Sequence, residues 1–363
     1  MGNSLKHILR EEFKSLFTLN QTERLWTIPV LASFCVGLPL FAGYYLGNLQ
    51  YGALACLSGL VILYMPSTPL AHRLITLFSC SFGFMLSFTI GICFSFNPIV
   101  SSITFGLFSM GVYWLVNYFN LAPPRSFFFI MVASLASCMP FELASIPLKI
   151  GLVSIGTMLA CVLGLIYSVL IIKKYPPKAI PTNAGNESKY RYANLIESGI
   201  VGFFMFLSLL AGHLLKVQNP YWITISSIAV MQGVSLQMIW QRSLHRIIGT
   251  FLGLGLCFVV LSFKTSALSI CIGIMVLQFV VEILVTRHYA LAVIFITPLT
   301  ILLNEAANGS LADPDELVMA RFIDTVIGSV LGAIGGWFVH HEQLRSAANK
   351  QIQKTKIAIK KMK

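Results

Sequence analysis

Charged residues are scarce in this chain. Asp, Glu, Lys and Arg make up 10% of its 363 residues, whereas a soluble domain contains roughly 25%. Hydrophobic residues make up 56%, and the mean hydropathy is +0.81. A water-soluble fold could not bury that much apolar surface behind so few charges, so we expect lipid to be the main solvent. The composition therefore excludes the soluble enzyme classes.

The common motifs of catalysis and metal binding are also absent from the sequence. It contains no nucleotide-binding loop, no HExxH, no GxSxG and no cluster of metal ligands. The eight cysteines lie within apolar segments and form no CxxC pair, which favours small buried residues over metal ligands or disulfides. We predict no catalytic residue, no metal and no cofactor. The net charge of +12 lies between apolar stretches, so we assign it to membrane topology and predict no nucleic-acid partner.

No cleavable signal is expected at the amino terminus. The charged residues 1–24 precede the first apolar span and contain no small-residue cleavage site. Apolar side chains recur there at helical spacing, at Leu5, Ile8, Leu9, Phe13, Leu16 and Phe17. This pattern is typical of a helix on the membrane surface, and a solvated cap on the first span is an equal alternative.

Twelve apolar segments follow, six on each side of a polar linker. The first six are residues 26–46, 50–65, 71–95, 98–119, 126–140 and 147–172, and the others are 195–215, 220–236, 243–263, 266–285, 289–303 and 318–339. Backbone groups in hydrocarbon need internal partners, and these segments are too long for barrel strands. We therefore predict an all-α membrane protein with about twelve transmembrane helices.

Basic residues are concentrated on one side of the predicted topology. That side contains 21 of the 25 Lys and Arg residues, whereas the opposite loop at 304–317 is acidic. By the positive-inside rule, the amino terminus, the linker and the carboxyl terminus are cytoplasmic. We expect a multi-pass protein of the inner membrane.

The two halves resemble each other in sequence. Residues 155–160 (IGTMLA) match residues 327–332 (IGSVLG) at an offset of 172, and Tyr51, His72-Arg73 and Arg125 match Tyr221, His245-Arg246 and Arg287 at similar offsets. Each half enters from the same side, so we predict two parallel six-helix repeats related by a pseudo-twofold axis along the membrane normal, with a passage between them. The predicted organisation is an interfacial segment at 1–24, repeats at 25–172 and 195–339, a linker at 173–194 and a basic tail at 340–363.

The second and fifth spans of each half are short. Sixteen residues at 1.5 Å each reach about 24 Å, which is less than the ~30 Å hydrocarbon core. Short segments at corresponding places of two repeats indicate a transport pathway. We predict that spans 50–65, 126–140, 220–236 and 289–303 line it, with tilted packing helices as the alternative.

Five arginines lie near the amino-terminal ends of helices that start on the predicted cytoplasmic side. A cation there opposes the helix dipole, but helix amino termini and guanidinium groups together suit a carboxylate or phosphate. We predict an anion-binding role for Arg73, Arg125, Arg242, Arg246 and Arg287. Arg125 and Arg287 are best placed because they open the short fifth and eleventh spans. The alternative is that all five only determine topology.

Acidic residues within the spans are the candidates for proton coupling or ion pairing, because an intramembrane carboxylate is costly. They are Glu197, Glu282 and Asp324. Asp324 lies one helical turn after Arg321, so we expect an ion pair there in preference to proton transfer. Glu282 precedes Arg287 by five residues and is a candidate partner for it. His213 and His245 are weaker candidates for a proton relay.

Three segments of the second half resemble the fusaric acid resistance (FUSC-like) integral membrane family: residues 221–256, 287–303 and 321–332. The first half is similar only at Tyr51-Gly52, His72-Arg73 and the Arg125 segment. The resemblance implies a transporter of organic or aromatic carboxylates, commonly an efflux component that in some members works with a periplasmic adaptor protein. The membrane part of the plant aluminium-activated malate transporters is similar. Larger members carry cytoplasmic domains that this sequence lacks, and Leu152 stands where the second half has Asp324.

We therefore expect an exporter of amphipathic organic anions. In one version of this hypothesis, the protein exchanges the anion for protons. A passive anion channel and a non-transporting membrane scaffold are the alternatives. The expected partners are a small organic anion, the lipid bilayer and a periplasmic adaptor, and the sequence makes no prediction of the oligomeric state.

Overall fold

The computed structural model describes residues 24–171, 187–262, 266–308 and 314–341, and these form an all-α protein. In the first half the helices are α1 Thr27–Tyr45, α2 Leu49–Ser58, α3 Leu70–Cys93, α4 Pro98–Tyr118, α5 Phe127–Ser137 and α6 Ile146–Ile171. The second half contains α7 Glu187–Leu214, α8 Tyr221–Met231, α9 Leu236–Ser262, α10 Ala267–Leu284, α11 Tyr289–Asn308 and α12 Pro314–His340. Short 3-10 helices at Gly59–Tyr64 and Leu143–Ser145 extend α2 and precede α6. The predicted surface helix, most of the linker and the basic tail lie outside the described residues.

Nine of the helices in the described ranges are long and apolar enough to cross a membrane, which confirms a multi-pass membrane protein. The other three, α2, α5 and α8, have 10, 11 and 11 residues. Three of the four spans predicted to be short are therefore short. The fourth prediction was wrong, because α11 continues to Asn308 and at 20 residues reaches about 30 Å. The polar residues Asn304 and Glu305 indicated that the span ends at Leu303, but in the structure they continue the helix.

Asparagine side chains cap two helix starts in the first half. The Asn97 side chain accepts hydrogen bonds from the backbone N–H groups of Ile99 and Val100, and Pro98 occupies the first helical position of α4. Asn48 caps α2 in the same way through the N–H of Tyr51. Such caps satisfy amide groups that have no partner within the helix.

The two halves pack together through contacts between helices of the first half and helices of the second half. In the first contact, α1 packs against α10 through a core that includes Leu40 and Ile274. In the second, α4 packs against α7 through a core that includes Phe105 and Met205. The short helices lie between these contacts, where α2 meets α11 and α5 meets α8. The halves thus enclose the short helices on two sides.

Large apolar side chains cover the outer surface of the described chain. On α6, for example, Ile155, Val162 and Leu170 are exposed. Long helices of this kind present apolar residues on most of their circumference, as expected for helices in lipid. The interior is richer in small polar groups, including the hydrogen-bonded pair Ser134 and Thr224 between α5 and α8.

Glycine allows the closest helix contacts in each half. A Cβ at Gly156 of α6 would overlap the carbonyl oxygen of Ala55 on α2. A Cβ at Gly328 of α12 would likewise overlap the carbonyl oxygen of Ile223 on α8. Small residues permit such close backbone approach between membrane helices. The close approach of α6 to α2 and of α12 to α8 therefore depends on glycine at these two positions.

We expect Gly156→Ala to destabilise the protein, because the added methyl group must displace the α2 backbone, at a cost of about 1–3 kcal/mol. The measurement is the thermal unfolding midpoint of the purified protein in detergent. Gly151→Ala on the same helix is the matched control, since a Cβ there meets no atom within 4 Å. Equal midpoints for the two variants would contradict the assigned contact.

Candidate functional site

A cavity of about 1360 Å³ lies between the two halves. The largest shares of its wall come from α2 with its 3-10 extension and from α11, and α5, α8, α6, α9 and α10 also contribute. Pockets for organic ligands commonly have volumes of 300–1,000 Å³, so this cavity is large enough for an organic anion. The three short helices and α11 are the four helices that the sequence predicted to line a passage.

The cavity wall extends along the whole length of the short helices. At one end it includes residues 65–67 and 123–125, and we call this the linker end because α6 finishes there at Ile171. At the other, far end it includes Gln218, Asn219 and Asn308. Wall residues are therefore present from one helix end to the other.

Cations predominate over anions among the described wall residues. The basic side chains are Arg24, Arg73, Arg125, Lys149, Arg242, Arg246 and Arg321. Glu282 is the acidic one, and its carboxylate forms an ion pair with Arg24 at 2.9 Å. An excess of positive charge in an apolar cavity attracts anions and repels cations.

Four of the five arginines that the sequence singled out contribute to this wall. Arg73 and Arg246 are buried, Arg242 is half-buried and Arg125 is exposed at the linker end. Arg287 is exposed and is missing from the described wall residues. The structure thus brings Arg73, Arg125, Arg242 and Arg246 to one cavity and leaves Arg287 outside it.

The two arginines at the linker end are held by different contacts. The Nε of Arg73 donates to the carbonyl of Thr68 at 2.6 Å, which turns the side chain toward the start of its own helix. Arg125 has a φ of 51°, and its carbonyl accepts a hydrogen bond of 2.7 Å from the Tyr64 hydroxyl. This contact stabilises an uncommon left-handed backbone conformation. The Arg125 side chain remains exposed at the cavity end.

Tyr289, the first residue of α11, contacts two of the arginines. Its hydroxyl accepts a hydrogen bond of 3.0 Å from Nη1 of Arg246. Its ring lies 5.3 Å from the guanidinium carbon of Arg242, a cation–π distance. Arg242 also donates to the carbonyl of Ala229 at 3.2 Å. One aromatic side chain therefore orients two cations of the wall.

Arg321, like Arg24 and Lys149, is a cavity cation that the sequence did not assign to substrate. It is 2% exposed and comes from α12, and its guanidinium carbon lies 4.8 Å from the centre of the Trp222 ring. The expected ion pair with Asp324 is absent, because neither oxygen of Asp324 has a hydrogen-bond partner in the described protein. The i, i+3 spacing predicts only that the two residues share a helix face. The Trp222 ring on a neighbouring helix determines where the guanidinium lies.

Glu282 pairs with a different residue from the one expected. Its carboxylate contacts Arg24 and also accepts a hydrogen bond of 3.0 Å from Gln278, so the suggested pairing with Arg287 was wrong. The i, i+4 spacing of Gln278 and Glu282 was a visible signal. Arg24 is 258 residues away in sequence, and no local pattern indicates that contact.

The remaining candidates for proton transfer lie away from the wall. Glu197 is half-buried on α7, and His213 lies in the last turn of the same helix. His245 stacks on His288 with ring centres 5.9 Å apart. None of these residues belongs to the described cavity wall. In the described ranges, no group of three or more His, Cys, Asp or Glu side chains is arranged to hold a metal ion.

Residues 206–335 match the family described as fusaric acid resistance protein-like, which confirms the resemblance for most of the second half. This segment includes Arg242, Arg246, Arg321 and Asp324. The chain is also 36% identical over 117 residues to the uncharacterized membrane protein YvaC of Bacillus subtilis (strain 168). That similarity covers 32% of this chain and 18% of the relative, so the chain spans less than a fifth of that protein. No solved structure matches the chain.

We expect Tyr289→Phe to lower the thermal unfolding midpoint in detergent, because a hydrogen bond to a charged group contributes about 1.5–3 kcal/mol. The phenylalanine ring would keep the contact with Arg242. Tyr51→Phe is the matched control, since Tyr51 is also an aromatic wall residue near a helix start and its hydroxyl makes no hydrogen bond within the described part of the chain. Equal losses in both variants would show that the Arg246 contact contributes nothing.

Proposed function

We propose that this protein exports organic carboxylate anions, aromatic or otherwise amphipathic, across the inner membrane through the cavity between its halves. One observation carries the proposal: a wall that extends along the short helices has several cations, and its acidic residue is already paired with Arg24. The match of residues 206–335 to the fusaric acid resistance protein-like family agrees with a transport role.

The chemistry of the wall suits an anion with an apolar body. The guanidinium groups provide charge-assisted hydrogen bonds for a carboxylate. Phe127, Phe128 and Trp222 lie on the same wall and offer aromatic surfaces for the rest of the molecule. A small inorganic anion would make no use of these surfaces, so we favour organic substrates.

Two parallel six-helix repeats are part of the proposal. The packing of α1 on α10 has its counterpart in the packing of α7 on α4, and the contact of α2 with α11 has its counterpart in that of α8 with α5. Gly156 and Gly328, at the sequence offset of 172, approach the corresponding short helices. These paired contacts support a pseudo-twofold axis along the membrane normal, around the cavity.

The direction of export depends on the orientation in the membrane. We infer from the positive-inside rule that the amino terminus, the linker and the carboxyl terminus are cytoplasmic. The linker end of the cavity then faces the cytoplasm, with Arg73 and Arg125 near its opening. Anions from the cytoplasm would meet these cations first.

We expect Arg125→Gln to lower the initial rate of 4-hydroxybenzoate flux in proteoliposomes by roughly two- to tenfold, because a cation at the mouth raises the local anion concentration. Arg287→Gln is the matched control. Arg287 is also an exposed arginine just before the fifth helix of its half, but it is missing from the described wall. Protein-free vesicles measure the leak of the protonated acid.

Undiminished flux in Arg125→Gln, at equal amounts of reconstituted protein, would contradict the route past Arg125. If the parent protein shows no flux above the protein-free vesicles, a membrane scaffold replaces the transporter.

Proton exchange makes a separate prediction. In vesicles preloaded with 4-hydroxybenzoate, an acidic exterior should accelerate efflux, because a proton enters as the carboxylate leaves. Valinomycin with equal potassium on both sides keeps the membrane potential at zero during the measurement. Equal efflux with and without the pH gradient would identify a passive anion channel.

A further inference from the structure

We propose that the cavity has a single carboxylate site, formed by the Arg242 guanidinium group and the Tyr289 hydroxyl near the start of α11. Arg246 is a positioning residue that acts through Tyr289, and the first half of the chain has no equivalent site. The inference rests on the proposed function, because it names the residues that bind the transported anion and gives one bound anion for each chain.

Tyr289 brings two arginines of α9 together. Its hydroxyl accepts a hydrogen bond of 3.0 Å from Nη1 of Arg246, and its ring centre lies 5.3 Å from the guanidinium carbon of Arg242. All three residues belong to the cavity wall. Arg246 is only 4% exposed, whereas Arg242 and Tyr289 are half-buried. An anion in the cavity can therefore reach Arg242 and Tyr289, while Arg246 supports Tyr289 from a buried position.

The Tyr289 hydroxyl retains its capacity to donate. A hydroxyl has one hydrogen to donate, and because the oxygen accepts from the cationic Arg246, that hydrogen must be directed elsewhere. It has no acceptor within the described part of the chain. A hydrogen bond from a charged donor also polarises the hydroxyl and strengthens the next bond in the series. A carboxylate beside Tyr289 would supply the acceptor.

Arg242 is held on the wall by contacts that leave its charge uncompensated. Its Nη1 donates to the Ala229 carbonyl at 3.2 Å, close to the end of α8, and its guanidinium group lies near the Tyr289 ring. Among the described residues, no carboxylate forms an ion pair with Arg242. A carbonyl and an aromatic ring orient this cation without neutralising it, so a carboxylate ligand gains a charge-assisted hydrogen bond.

The first half lacks both groups of this site. Phe127 is the first residue of α5, as Tyr289 is the first residue of α11, and it has no hydroxyl. Pro69 occupies the position that corresponds to Arg242, four residues before the matched arginine of each half. The similarity between the halves therefore ends at the two positions that would bind a carboxylate.

Arg73 shows the effect of this difference. It matches Arg246 in sequence, but its Nε donates to the Thr68 carbonyl at 2.6 Å, in the loop just before its own helix. Arg73 contributes positive charge to the wall, and in the second half a tyrosine hydroxyl takes the place of that loop carbonyl. We therefore expect one bound anion for each chain and not one for each half.

The experiment measures benzoate binding to the purified full-length protein in detergent by isothermal titration calorimetry at pH 7.5. We expect one benzoate for each chain. Arg242→Gln should lower the affinity by about tenfold or more, because it removes the charged donor. Two benzoates for each chain, or no binding to the parent protein, would overturn the inference.

Arg73→Gln is the charge-matched control, since it also removes one arginine from the wall. We expect it to lower the benzoate affinity by about threefold or less, through the field of the wall alone. Equal losses in Arg73→Gln and Arg242→Gln, at equal thermal unfolding midpoints, would overturn the site. If Arg242→Gln fails to fold, Tyr289→Phe decides: an affinity no lower than that of Tyr51→Phe would overturn the site.

A double-mutant cycle tests the positioning role of Arg246. Arg246→Gln should lower the benzoate affinity of the parent by about threefold or more, but by less than about twofold once Tyr289→Phe has removed the hydroxyl. A purely structural role of Arg246 would give the same loss in both backgrounds, and that result would overturn its action through Tyr289.

The outcomes separate this site from the proposed transport. Benzoate binding that depends on Arg242 and Tyr289, without 4-hydroxybenzoate flux in proteoliposomes, would support the site and contradict the exporter. Flux that depends on Arg125, together with equal losses of affinity in Arg73→Gln and Arg242→Gln, would support the exporter and overturn the site.

Discussion

Buried positive charge in a membrane protein is the constraint on which the rest of this structure depends. Each guanidinium group that leaves water must find acceptors, aromatic faces or a counter-ion. Arg246 donates a hydrogen bond to the Tyr289 hydroxyl, and Arg321 lies against the Trp222 ring. The apolar wall strengthens this requirement, because it offers few other acceptors.

The arrangement of the halves creates the place where these charges meet. The contacts of α1 with α10 and of α4 with α7 hold the halves together at two sides. The shorter helices remain between them, and they leave a cavity because they contribute fewer side chains than the long helices around them. Gly156 and Gly328 allow α6 and α12 to pack closely against α2 and α8, so these long helices support the short helices of the cavity wall.

The sequence predicts the helices better than it predicts the site. Length and hydropathy indicate twelve helical segments, and all twelve are present as helices, although α2, α5 and α8 are shorter than a membrane is thick. Local spacing identifies neighbours on one helix, such as Gln278 and Glu282. It does not show which face of a helix meets the cavity, so Arg321 was assigned to Asp324 and not to Trp222. Nor does it show contacts between distant segments, such as that of Arg24 with Glu282.

The pairing of Glu282 with Arg24 has a consequence for inorganic ions. A free carboxylate on the wall would be a binding site for sodium or potassium ions. With that carboxylate occupied by a guanidinium group, the described wall presents fixed charge of one sign from end to end. In the proposed exporter this positive charge would repel metal cations, so a passage wide enough for an aromatic ring would not need a narrow filter to exclude them.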